Sequence, residues 1–146
     1  MHNLLARASI CQGDCVAEPP PDFDWVTVRH DCSLPVFFEA LYLGAQRDTD
    51  IRNALGVHPD GGRFVCESHG VALFSVAREA VIGGLRAIRF TLRDDRIEVE
   101  GAGVADVRFF GTLTLNDRAE CRLLVDGVEL DRWQVLRRAL EPLFFG

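Results

Sequence analysis

The sequence predicts an α+β fold: a mostly antiparallel sheet of about six strands, with one helix from the N-terminal half and one C-terminal helix packed on it. Three observations predict it. Apolar residues alternate with Arg, Thr and Glu from Ile88 to Val99, in two runs that share one register. Leu34, Phe37, Phe38, Leu41 and Ala45 fall at helical spacing and make one apolar stripe. Asp131 stands three residues before Gln134, the spacing of a capping box at a helix start.

Taken in order, residues 1–22 read as an arm ending in a stiff linker, because Pro19, Pro20 and Pro21 favour extended polyproline geometry. The domain proper is expected over 23–146. A first strand is expected over 22–28, with Phe23 and Trp25 on one face. Ser33 is placed to cap a helix over 34–46, and Pro35 is tolerated in its first turn. A separate short helix is expected over 49–55, capped by Asp48 and ended by Gly56, with Ile51 and Leu55 turned to the core. His58-Pro59-Asp60-Gly61-Gly62 is rich in turn formers. Strands over 63–67 and 71–77 flank Ser68-His69-Gly70, and Gly83-Gly84 marks the next break.

The hairpin that follows is specified on both faces. A two-residue turn at Asp94-Asp95 sets Leu92 opposite Ile97 and Phe90 opposite Val99, while Arg89 meets Glu100 on the other side. A second hairpin is expected between 107–115 and 119–125. A three-residue loop at Asn116-Asp117-Arg118 sets Leu113 opposite Cys121, Phe109 opposite Val125 and Thr114 opposite Glu120. In the last helix Leu130 and Val135 take the positions of a hydrophobic staple. Trp133, Leu136, Leu140, Leu143 and Phe144 form its apolar stripe, and Pro142 is expected to end or kink it near Glu141.

A chain of 146 residues is the size of one domain and buries about 68–70% of its unfolded surface, so it needs no staple to hold a core. The net charge of −6 opposes nucleic acid and anionic membrane as partners and is compatible with a basic protein. All 16 basic residues are Arg, which excludes a Schiff-base lysine and a phosphate-loop lysine together. The five cysteines are odd in number and widely spread, which reads as free thiols in a reducing cytoplasm. Residues 4–10 are too short an apolar run for a signal peptide and are interrupted by Arg7; no run approaches the roughly 18 residues of a membrane span.

Three clusters are candidates for chemistry or binding. Cys11, Cys15, His30 and Cys32 are the ligand types zinc takes, but C-x3-C and H-x-C depart from the tight pairs of structural zinc sites. The ordinary alternative is a buried Cys32 beside an untethered arm, and no cofactor is expected. Cys66 with His69, or with His58, offers a thiol and a base, although Cys66 inside a strand more often reads as a small core residue. Asp94, Asp95, Glu98 and Glu100 gather at one hairpin, where they could meet a basic partner or simply keep the surface soluble. Asp22, Asp24, Asp48 and Asp50 admit the same pair of readings. The glycine pairs form no phosphate loop, and neither Ser33 nor Ser75 sits in a G-x-S-x-G elbow.

From Gly83-Gly84 onward the layout resembles the small bacterial immunity proteins of polymorphic toxin systems. The shared features are the strand over 85–93 with its tight return over 96–100, further strands, and a closing helix ending in Leu143-Phe144-Phe145. The resemblance covers less than half of the chain. It implies a cytoplasmic protein that binds and blocks a toxin with no chemistry of its own. The reading is therefore a non-enzymatic protein-binding domain. A thiol-dependent enzyme or sensor using Cys66 and His69, and a zinc-stabilised accessory module, are the alternatives. The aromatic C-terminus further suggests a homodimer.

Overall fold

A computed structural model describes residues 22–59, 61–79, 84–104 and 106–146. The arm expected over 1–22 lies outside them but for Asp22, as do Cys11, Cys15 and Gly83. Helix formation starts earlier than the alternation of Phe23 and Trp25 suggested. Asp24 accepts from the backbone N–H of Thr27 (3.0 Å) and caps a short helix, α1 (Trp25–Asp31), where a strand was expected. Trp25 and Val26 are exposed, so the period-two pattern had no neighbouring strand to bury it.

Ser33 caps α2 (Leu34–Ala54), with Pro35 in its first turn. This is one helix where two were expected. Its buried positions, Phe37, Phe38, Leu41, Ala45, Thr49 and Arg52, keep helical spacing straight through Arg47-Asp48, so nothing ends it there. The Thr49 hydroxyl donates to the Ala45 carbonyl (2.7 Å), which satisfies a buried polar group within the helix itself.

Seven strands follow as an antiparallel meander in sequence order: β1 (Phe64–Ser68), β2 (Leu73–Arg78), β3 (Arg86–Leu92), β4 (Ile97–Ala102), β5 (Arg108–Leu115), β6 (Cys121–Val125) and β7 (Val128–Leu130). The β3–β4 register has Leu92 against Ile97, Phe90 against Val99 and Arg89 against Glu100, as the sequence pattern requires. In the β5–β6 hairpin the three-residue loop falls one residue later, at 117–119. Asn116 N donates to Glu120 O (3.1 Å), and Ala119 takes the left-handed conformation (φ 59°). The pairing therefore slides by two: Leu115 meets Cys121, Leu113 meets Leu123, and Thr114 meets Arg122 instead of Glu120. A slide of two keeps every side chain on its expected face, so hydrophobic pattern alone could not detect it. The short β7 was not anticipated.

Asp131 caps α3 (Arg132–Phe145) with the full capping box to Gln134, and the helix runs through Pro142 to Phe145. Both long helices lie on one face of the sheet, α2 over β1–β3 and α3 over β2, β3, β6 and β7. Between them and the sheet sits the core: Phe37, Phe38 and Leu41 from α2, Val135, Leu136, Leu140 and Leu143 from α3, and Phe74, Val76, Ile88, Phe90, Ile97, Val99, Leu123 and Val125 from the strands. Phe74 and Phe90 stack at 4.4 Å. The helices cross closely at Gly44, where an added Cβ would stand 2.7 Å from Leu136 Cδ1.

Polar groups seal the end of this layer. Buried Arg52 donates from Nε to the Phe144 carbonyl (3.0 Å) and from Nη1 to the Gly56 carbonyl (2.9 Å), placing a cation at the negative end of α3. Arg78 donates to His58 Nδ1 (2.9 Å), and His58 Nε2 donates to the Gly146 carbonyl (3.0 Å). The Asn53 carboxamide bonds both backbone groups of Phe64, donating to its carbonyl (2.8 Å) and accepting from its N–H (2.9 Å). Cys32, just after α1, and Cys121, at the start of β6, are joined in a disulfide spanning 89 residues. This corrects the expectation of free thiols at both positions; Cys66 is a free cysteine.

Candidate functional surface

Alternation along β1 separates the two members of the expected thiol pair. Cys66 points to the helix side and packs against the core, while Glu67 points away. Burial pushes the Cys66 thiol up to about 11, and the carboxylates of Asp50 and Glu67 add to it, so the nucleophilic thiolate is suppressed. His69 lies on the opposite face, where its Nε2 shares a 2.9 Å hydrogen bond with Ser75 Oγ. Cys66 and His69 are therefore not brought together. Among the described residues Ser75 is the one side chain bonded to the His69 ring. His58, the other candidate base, has both ring nitrogens engaged in the buried cluster with Arg78 and Gly146.

The candidate zinc ligands also separate. The Cys32 sulfur is bonded to Cys121, and His30 is exposed beside Asp31 (3.1 Å). Cys11 and Cys15 lie outside the described residues. Among those described, no group of three His, Cys, Asp or Glu side chains could hold a metal ion.

Asp94 and Asp95 form the exposed β3–β4 turn. Glu98 and Glu100 lie on the sheet face away from the helices, and here arginines answer the acids. Glu98 accepts from Arg93 Nε and Arg96 Nε, each at 3.0 Å, and Arg93 followed by Arg96 holds its carboxyl below the usual range. Register places Glu100 between Arg89 and Arg108, and extends the row through Ser75 to Glu67. Beside this row a shallow trough of about 520 Å³ has a floor of Ser75, Ala77, Ala87 and Ala102. The charges of this face are largely paired within it, and apolar side chains lie among them: Leu73 and Leu85 line the trough, and exposed Phe110 lies under the Arg96 guanidinium.

The outer surface of the helix layer is different in kind. Between α2 and α3 runs a groove of about 310 Å³ lined by Ile51, Leu55, Trp133, Leu140 and Phe145, with Arg47, Asp48, Arg137 and Glu141 at its margins. Trp133 is 55% exposed, Leu55 70% and Phe145 68%. The sequence had turned Ile51, Leu55 and Trp133 inward. The structure turns them outward, because Thr49 and Arg52 in α2 and Val135, Leu136 and Ala139 in α3 take the inward positions. Helical spacing marks residues that share a face but not which way the face points, and a long helix with apolar residues on two sides offers two readings. The groove continues past Leu43, Gly44 and Arg132 toward a cleft beside α1. No described helix is long and apolar enough to cross a membrane. Comparison with family models, with curated proteins and with solved structures found no match.

Proposed function

We propose that this chain is a non-enzymatic protein-binding domain that receives its partner on the outer surface of the helix layer. The observation that carries the reading is the exposed aromatic and aliphatic lining of the α2–α3 groove, with Trp133 at the end it shares with the stretch beside Leu43 and Gly44. Contiguous apolar surface of this kind marks interaction sites, and buried Trp anchors dominate interface energetics. An immunity-like inhibitor of a toxin is one form of this role, and a second copy of the chain is another occupant the groove would accept. Net charge of −6 favours a basic partner and opposes nucleic acid and anionic membrane. Asp94, Asp95, Glu98 and Glu100 then act on approach rather than in the contact, since two of them already face arginines of their own sheet.

Burial of Cys66 away from His69 weighs against the thiol enzyme, and the bond at Cys32 weighs against the zinc module. The same bond bears on location. Disulfides persist in oxidising compartments, so the cytoplasmic placement expected from free thiols loses its support. The test is capture of the partner from the source cell, followed by affinity measurements on variants. Trp133→Ser should weaken binding by about thirtyfold or more. The pair Glu98→Gln and Glu100→Gln should instead slow association in a salt-dependent way. If Trp133→Ser and Leu55→Ser both bind like the native chain, the groove is not the interface. A dimer mass in light scattering, lost in the same variants, would identify the occupant as a second copy.

A further inference from the structure

We infer that α1 is a flap fastened by the Cys32–Cys121 disulfide over one end of the helix-layer groove, and that a dithiol reductant releases it. The helix has no buried residue. Among the described residues the hydrogen bonds and ion pairs of 22–31 reach no further along the chain than Ser33. The bonds there are local: the Asp24 cap on Thr27, the Cys32 N–H to the Val28 carbonyl, the Ser33 N–H to the Asp31 carbonyl, and the His30–Asp31 pair. Only Phe23 and Val28 in this stretch are half-buried. A helix of seven residues does not persist in water by its own hydrogen bonds, so what positions α1 is its link through Ser33 to α2 and the cross-link at Cys32.

That cross-link lies beside a cleft of about 340 Å³ lined by Val28, Val36, Phe37, Cys121 and Arg132. Arg132 is shared with the stretch of groove beside Leu43 and Gly44, which in turn shares Trp133 with the α2–α3 groove. Opening the bond is a two-electron exchange. One thiolate of the dithiol attacks a sulfur of the pair and forms a mixed disulfide; its second thiol displaces the remaining protein sulfur. Cys32 and Cys121 each end as a thiol carrying one proton, and the reductant leaves as its own disulfide. The hinge is then free at Ser33, and the Val36–Phe37 end of the groove is uncovered. Release of the flap stands independently of the binding role; its effect on a partner rests on that role.

Arg29 lies within α1 and reports on its release by tryptic cleavage of the full chain. With dithiothreitol, or in the Cys32→Ser/Cys121→Ser variant, cleavage after Arg29 should become about tenfold faster while the fragment from His30 onward stays whole. Equal rates with and without reductant would overturn the flap. So would cleavage spreading through β3–β5 as fast as at Arg29, since the bond would then staple the whole fold. Alkylation of both Cys32 and Cys121 before any reductant is added would remove the bond itself. The Trp133→Ser binding test has a separate readout, so failure of the groove and failure of the flap are distinguishable.

Discussion

The two broad surfaces of this molecule differ in how they arrange charge and exposed apolar side chains. The uncovered face of the sheet carries the charges, yet they answer one another: Glu98 with Arg93 and Arg96, and Glu100 in register with Arg89 and Arg108. The helix layer, whose inner side already supplies much of the core, shows a second apolar lining on its outer side at Ile51, Leu55, Trp133 and Phe145. A row of acids in a sequence is conspicuous but does not by itself make a field, because strand pairing can neutralise it. An apolar stripe is inconspicuous because it resembles a core.

The largest expected effect tests the shared core beneath both surfaces. Phe90→Ala removes a fully buried ring stacked on Phe74 and should cost about 3–5 kcal/mol in urea unfolding. Next comes the contrast across β1. At pH 8 Cys66 should react with iodoacetamide roughly a hundredfold more slowly than an unperturbed thiol, read by site-resolved mass spectrometry, because less of it is thiolate. The sign for stability follows. A thiol raised from 9.0 to about 11 favours the fold at lower pH, and that contribution is lost as pH rises across this interval. Ordinary reactivity would place the sulfur in water and blur the distinction between the two faces.

Gly44→Val should cost about 1–3 kcal/mol and widen the groove, since the new side chain meets Leu136 where the helices cross. Native-like stability in thermal unfolding would mean that the crossing is looser than described. The smallest effect belongs to Glu98→Gln. Its carboxyl is held below 4.5 by the arginines, so any stability it adds is present above that value and lost as pH falls through the lowered pKa. The small difference in melting temperature between native and variant chains should therefore vanish in acid.

The parts of the fold legible in advance are those where independent signals agreed. The β3–β4 hairpin was set by burial on one face and opposite charge on the other, and α3 by a cap, a box and a staple at once. Where one signal stood alone it misled. Phe23 and Trp25 alternate, but Asp24 between them is a helix cap. Asp48 resembles a cap but sits inside α2, because burial at Ala45, Thr49 and Arg52 carries the helix past it. The disulfide joins positions 89 residues apart and depends on where β6 pairs, which spacing along the chain does not reveal. The groove was hidden for the reason its residues were noticed: apolar letters at helical intervals look alike whether they face in or out.

Asn53 has a consequence beyond its own two hydrogen bonds. β1 is the first strand of the sheet, and the backbone of such a strand is a template on which another chain can crystallise as an added ribbon. By occupying both the N–H and the carbonyl of Phe64, a single carboxamide from α2 mimics the missing neighbour at that position. The sheet thus meets its own boundary with a counterfeit strand one residue long, which withdraws Phe64 from that template.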